Sequence, residues 1–260
     1  MPTKLSKVNQ SVEKVIQIIE AMAKEGTPMR LQDIAFKTDM PASTALRMVN
    51  TLLVYGYVNQ NPDTLRYSLS LKFAQIGSIV SSQVSLSQIA HPFLVELSRR
   101  CRESCCLGVE EGMELIYTDV VDGPDNMLKI MQRIGKRAPL HSTGIGKLLL
   151  LNYSREQLRE LTRVKGLTPL TPNTICNEDA LLERLSQIRA QGYALDDEEC
   201  ELGARCVAAP VYDYTGRVVA GISVSGPVSR LSLERIAVIA PVVQDTAKRI
   251  SKLMACPDEP

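Results

Sequence analysis

Tryptophan is absent from the 260 residues, phenylalanine occurs three times, and aromatic residues together make up 4%. Apolar residues still reach 45%, the share of an ordinary globular protein, so the cores must be aliphatic. Excess charge is missing too. The formal net charge is +1, and no global basic field advertises nucleic acid. No apolar run is long and uncharged enough to span a bilayer. The start, MPTKLSKVNQ, is polar and basic with no apolar stretch behind it, so no signal peptide is expected. The seven cysteines are odd in number and form no C-x-x-C pair. That argues against a disulfide framework or a zinc ribbon and for a reduced, cytoplasmic setting. The length allows two domains of ordinary size.

What is present begins with three short helical patterns. Val12, Val15, Ile16, Ile19 and Met22 recur at helical spacing after Ser11, a residue able to cap a helix running to about Ala23. A second helix is expected over Leu31–Lys37, with Leu31, Ile34 and Ala35 on one face. Thr38–Met40 turns the chain, and Pro41 opens a third helix whose expected buried face is Ala45, Leu46, Val49, Leu52 and Leu53. Tyr57–Gln60, a turn over Asn61–Thr64 and the alternating Leu65–Leu69 then read as a hairpin. Three helices and a hairpin make a winged helix-turn-helix, a unit that sets one helix in the DNA major groove. Ser43, Thr44 and Arg47 lie near the start of that third helix. Hydroxyls can meet phosphates or base edges, and arginine can grip guanine through two acceptors. Ser43 and Arg47 share a face, expected opposite Leu46 and Val49, and Arg66 in the wing is placed to reach a phosphate or the minor groove. Residues 1–70 hold eight basic side chains against six acidic ones, a weak local excess. The plainer alternative is a three-helix packing domain with a solvated polar face.

Leu71–Gln83 lacks proline and reads as a helical connector. A further helix is expected to open at Ser85 or Ser87. The remainder alternates strands and helices. Two strands are expected around Glu111-Gly112, and a second pair from Met127 to Leu140 joined near Gly135. Short helices follow at GIGKLLLLN and SREQLRELTR, then one over Asn177–Gln191 with an acidic start suited to the helix dipole. GYALDDEE reads as a strand entering a loop. RCVAAPVYD and RVVAGISVSG read as a hairpin turning at Asp213–Gly216, and a long amphipathic helix closes the chain. The class is α+β.

Four stretches, QSVEKVIQIIEAM, LQDIAFKTDMPASTALRMVNTL, RIGKRAPLHSTGIGKLLL and GYALDDEECELGARCVAAPVYDYTGRVVAGISVSGP, resemble the isocitrate-lyase-regulator (IclR) family of bacterial transcription factors over almost the whole chain. HSTGIGK and DDEECELGARCVAAPV look closest to the branch that includes the 2-keto-3-deoxygluconate regulator. The resemblance implies a winged helix-turn-helix domain over 1–70 (helix-turn-helix about 30–50, wing about 57–69), a linker helix over 71–84 and a GAF-like effector-binding domain over 85–256. It implies homodimers or tetramers on palindromic double-stranded operator DNA, no cofactor, and control by a small organic acid. The family contains both repressors and activators. Carried over by position, the effector site is Thr143, Gly144 and Ile145, then Asp196 with Cys206, then Ser223, Val224 and Ser225. Ile145 stands where relatives often have alanine, a difference that would narrow the pocket or shift its preference.

The residue chemistry supports that site independently. Gly144 lets backbone N–H groups approach a carboxylate at a helix start. Ser223 and Ser225 alternate onto one strand face. Asp196 can accept from a ligand hydroxyl or hold a neighbour, and Cys206 offers a small, weakly polar wall. Each also has a plainer reading: a tight turn at Gly144, core at Cys206, ordinary strand polars at Ser223 and Ser225, a solvated acidic loop at Asp196–Glu199. Two rival functions use nearby residues. One is a cysteine-dependent hydrolase built on His141, Asp196 and Cys206, which leaves the DNA-binding head unexplained and lacks a nucleophile motif. The other is a metal-responsive regulator using Cys200, Cys206 and His141, whose spacing is irregular for zinc.

Overall fold

The computed structural model describes residues 8–83, 85–123 and 132–256. The chain divides at Val84/Ser85 into two compact units.

In the first unit, α1 (Gln10–Glu25), α2 (Leu31–Lys37) and α3 (Ala42–Val54) precede the strands β1 (Val58–Gln60) and β2 (Tyr67–Leu69). The cap of α1 is Asn9, not Ser11: its carboxamide oxygen accepts from the Ser11 and Val12 amides at 3.0 and 3.4 Å. The helix faces also differ from expectation. Helix α1 packs inward through Val15, Ile18, Ile19 and Met22, while Val12 and Ile16 are exposed. Helix α3 buries Ala45, Met48, Val49 and Leu52, and Leu46 is exposed. Both faces follow one i, i+3, i+4, i+7 stripe. The expectation placed Met22 correctly but passed over Met48 in favour of Leu46; methionine, with its flexible thioether, fills this core at four positions, Met22, Met29, Met40 and Met48. Between α2 and α3, the Thr38 hydroxyl donates to the Ile34 carbonyl at 2.7 Å and Asp39 takes φ +50°, so the turn is tight and fixed. Leu65, expected in β2, also has positive φ and belongs to the turn. Met29 exchanges two backbone hydrogen bonds with Tyr67, at 2.9 and 2.7 Å, adding a one-residue bridge on the other side of β2. Helix α4 (Lys72–Gln83) follows. Its Lys72 ammonium donates to the Tyr55 carbonyl at 2.8 Å and lies 4.4 Å from the Tyr57 ring centre.

In the second unit, α5 (Leu86–Cys101) leads into β3 (Ser104–Glu111) and β4 (Glu114–Val121). Then come β5 (Arg137–Pro139), α6 (Gly144–Leu149) running on into one 3-10 turn, α7 (Arg155–Val164) and α8 (Glu178–Gln191). Last are β6 (Ala194–Asp197), β7 (Ala204–Tyr212), β8 (Val218–Pro227) and α9 (Leu233–Leu253). Among the described residues six strands form one antiparallel sheet in the order β5-β4-β3-β8-β7-β6. Gly112 and Met113, both at positive φ, make the β3–β4 turn, as a two-residue hairpin with right-handed strand twist requires. Of the strand pair expected around Gly135, only β5 is described; its partner falls largely within 124–131, outside the described residues.

Strand alternation sorts side chains into two cores. Leu107, Val207, Ala209, Ile222 and Val224 face α5 and α9, whereas Cys106, Ala208 and Tyr117 face α6, α7 and α8. The second face carries the candidate effector site.

Candidate DNA-reading face and effector cavity

The exposed side of α3 presents Ser43, Leu46, Arg47, Asn50, Thr51 and Val54, which line one open surface groove. Leu46 thus lies beside Arg47 rather than opposite it. Thr44 is half-buried. The Arg47 side chain has no hydrogen-bond or ion-pair partner among the described residues, so its guanidinium is free to meet a ligand. The Arg66 Nη1 donates to the Pro28 carbonyl at 3.0 Å, bracing the wing against the loop before α2.

In the second unit one cavity collects most of the carried-over residues. Thr143, Gly144, Ile145, Asp196, Cys206, Ser223 and Ser225 all line it. Val224 does not: one residue out of phase with the two serines, it is fully buried in the core under α5 and α9. It can contribute backbone only. The register explains the convergence. Cys106 pairs with Ser223, which pairs with Ala208, and Cys206 pairs with Ser225, so two alternate rungs bring both hydroxyls and the Cys206 thiol to one face.

Thr143 caps α6. Its hydroxyl accepts from the Gly146 amide at 3.2 Å and donates to the Pro139 carbonyl at 2.9 Å. It therefore shapes the turn and leaves the first-turn amides without intrahelical acceptors. Two glycines make the turn possible. A Cβ on Gly146 would lie 2.4 Å from the Leu140 carbonyl oxygen, and one on Gly144 would lie 2.8 Å from the Cys206 sulfur. Ile145 is core as much as wall: its Cγ2 sits against the bare backbones of Gly108 and Gly221.

Asp196 is buried, and its Oδ1 accepts from the Glu199 and Cys200 amides at 2.9 and 3.2 Å. Burial pushes its pKa up to about 6, against the opposing pull of Lys147 and those two amides. Lys147 is fully buried and paired with Glu199. Sequence reasoning missed this pair; its signal was a lysine in the otherwise apolar GIGKLLLL. It also missed Tyr117, Gln132, Lys136, Glu201, Ala204 and Arg205, and weighed Cys200 only as a metal ligand; these seven complete the lining. Tyr117 was within reach, because alternation along β4 turns it to the same face as Leu115. Arg205 is committed: Nε donates to Asp197 at 2.6 Å and Nη1 to the Leu231 carbonyl at 2.6 Å.

The residues of the two rival readings are occupied otherwise. His141 is buried, with Nε2 at 3.1 Å from the Thr168 carbonyl and its pKa lowered by that burial. Burial raises the Cys206 and Cys200 thiols above their usual range, the reverse of an activated nucleophile. Among the described residues no three His, Cys, Asp or Glu side chains are grouped to hold a metal ion, and no helix is long and apolar enough to cross a membrane.

Comparison with known proteins gives concordant results. The family described as IclR helix-turn-helix domain matches residues 11–62, and the one described as bacterial transcriptional regulator IclR C-terminal matches residues 79–252. The transcriptional regulator XynR of Escherichia coli K12 is 35% identical over 95% of this chain and 98% of its own length. KdgR of the same strain is 36% identical over 96% and 94%, and the repressor AllR is 31% identical over 96% and 92%. Among solved structures, an IclR protein of Thermotoga maritima aligns with TM-score 0.63 and 33% identity over 94% of this chain and 98% of that one. The C-terminal domain of E. coli KdgR aligns with TM-score 0.59 and 36% identity over 65% of this chain and 98% of that domain.

Proposed function

The chain belongs to the IclR family of bacterial transcriptional regulators, not to an enzyme family, and on that premise we propose that it controls a catabolic operon in response to a small organic acid. In this reading residues 1–70 bind operator DNA through Ser43, Thr44 and Arg47 of α3, residues 71–84 link, and residues 85–256 bind the effector. The observation that carries it is the convergence of the Gly144–Ile145 amides, Ser223, Ser225, Cys206 and Asp196 on one cavity. Donors for a carboxylate sit at one end, and hydroxyls with a carboxyl for ligand oxygens line the sheet. The enclosed space is about 50 Å³, against the ~10–15 Å³ that one water requires on the same measure. That suits a compact keto or hydroxy acid; a full sugar acid or an aromatic acid needs the cavity to widen.

DNA binding as a homodimer or tetramer on a palindromic site follows from the same reading, because a symmetric assembly presents equivalent heads. The exposed apolar side of α4, with Ile76 and Val80, supports self-association there.

A thermal-shift screen of sugar, keto and aromatic acids tests the proposal. An effector at 100 times its Kd raises stability by about 2.7 kcal/mol. The Ser223→Ala, Asp196→Ala double variant then loses the effector response while keeping operator affinity, since ligand control acts only through differential affinity for two states. A correctly folded double variant with unchanged acid affinity would refute the assignment.

A further inference from the structure

We propose that Lys136 is the charge by which the cavity selects anionic effectors: this exposed residue lines the cavity and is the lining cation that no carboxylate among the described residues neutralises. The proposal rests on reading the cavity as the effector site.

The backbone fixes the position of Lys136. Past the last rung of β5, where Ile116 pairs with Arg137, the Tyr117 amide donates to the Lys136 carbonyl at 3.1 Å and the Gly135 amide donates to Tyr117 at 2.8 Å. Lys136 is therefore the cross-strand neighbour of Tyr117, and directly opposed residues project to one face. Tyr117 lines the cavity, and so does Lys136. The next residue, Arg137, projects the other way and pairs on the surface with Glu111 and Glu114.

Among the cations around the cavity, Lys136 alone is unpaired among the described residues. Arg205 is held by Asp197. Lys147, behind the wall, is held by Glu199. Glu201 stands exposed at the rim and Asp196 lies inside, partly kept neutral by burial. Lys136 has no hydrogen-bond or ion-pair partner for its ammonium group among the described residues. Its charge is felt by both the Cys106 and Cys200 thiols; at Cys200 it opposes Asp196, the stronger influence, and outweighs Glu201. An anion entering this cavity meets amides and hydroxyls that fix orientation, plus one uncommitted positive charge. A neutral amide or ester of the same shape gains the hydrogen bonds but not the charge.

Cys200 supplies a probe that needs no knowledge of the natural effector. It lines the cavity and is half-buried. Iodoacetate and iodoacetamide alkylate the same thiolate and are close in size but differ in charge, so their rate ratio at Cys200, divided by the ratio at a reference cysteine, reads the local potential. Exposed Cys176, outside the lining, serves as internal reference in site-resolved mass spectrometry. In the full-length protein the iodoacetate-to-iodoacetamide rate ratio at Cys200, relative to Cys176, should fall roughly threefold to tenfold on Lys136→Gln, the range one unit charge produces near a protein surface. Lys136→Arg should keep it. A ratio unmoved by Lys136→Gln overturns the proposal. Protection of Cys200 from iodoacetamide by pyruvate, and not by pyruvamide, should also disappear in Lys136→Gln. Protection absent in the parent for every organic acid tried counts against the effector reading itself, and is separable because the reagent ratio needs no bound acid.

Discussion

The Lys147 ammonium and the Glu199 carboxylate form an ion pair in which both side chains are buried, 0% and 4% exposed, although 52 residues separate them. The pair ties α6 to the acidic loop after β6, so the two segments that flank the cavity are fixed to each other. Burial pulls the Lys147 pKa down and Glu199 pulls it back. Removing one partner leaves the other charged and dry, at a cost of about 3–5 kcal/mol, whereas replacing both with apolar groups of similar volume is often close to neutral. Lys147→Met and Glu199→Leu should each destabilise strongly, and the double variant should recover most of that loss. Urea unfolding of the four proteins measures the coupling; strictly additive losses would show that the pair contributes nothing as a pair.

Gly144 and Cys206 make a second linkage, between the α6 turn and β7. A Cβ at Gly144 would come within 2.8 Å of the Cys206 sulfur and 3.2 Å of the Ala208 Cβ. Gly144→Ala should therefore cost about 1–3 kcal/mol through overpacking and push the turn amides away from the sheet. Adding Cys206→Ala removes the clashing atom and should restore part of the stability. If Gly144→Ala alone unfolds at the parent's urea midpoint and binds acids as the parent does, the turn does not need glycine.

Much of the fold was legible because periodicity is local: the three head helices, the wing and the two long hairpins all follow from spacing 3.6 or 2. What failed was the choice of face. Leu46 and Met48 both fit α3, and only the partners supplied by α1 and the wing decide that Met48 goes inside. Most candidate site positions came from the family resemblance. The register of β3, β8 and β7 brings them together, and that register depends on residues over 100 positions apart, which no local pattern encodes. Val224 was misassigned because three consecutive residues were taken as one site on a strand that alternates. The Lys147–Glu199 pair and Lys136 escaped for the same reason: a charge acquires meaning only from what the fold sets beside it.

Asp196 makes the effector unit sensitive to pH. Its pKa rises from 3.8 to about 6 on folding, chiefly through burial. Between those values the folded protein keeps a proton that the unfolded chain has released. This contribution to stability is fully present below about pH 4 and is lost as pH rises through 6, a change of at most ~3 kcal/mol. Asp196→Asn can still accept from the Glu199 and Cys200 amides but does not ionise, so its stability should exceed the parent's at pH 8 and converge with it at pH 4. The same substitution should flatten acid binding with pH, because an anion beside Asp196 favours its protonated form. Parallel pH profiles for parent and variant, by denaturation or by calorimetry, would remove Asp196 as the titrating group.

Operator recognition separates three residues of the head that the sequence pattern treated alike or placed on the wrong side. Arg47 is exposed on α3 and unpaired among the described residues, so Arg47→Ala should weaken specific binding by about 1–3 kcal/mol per half-site and relax preference at one base pair. Leu46 lies on the same face, where an apolar side chain can contact a thymine methyl. Leu46→Ala should leave the head stable, since little burial is lost, and cost affinity only for operators with thymine at the facing position. Arg66, bonded to Pro28, should behave differently from both: Arg66→Ala loses the brace between wing and loop, lowering head stability by about 0.5–1.5 kcal/mol, and weakens all sequences alike. Binding curves on a set of single-base operator variants distinguish the outcomes. If Arg66→Ala changes base preference while Arg47→Ala does not, the wing rather than α3 reads the sequence.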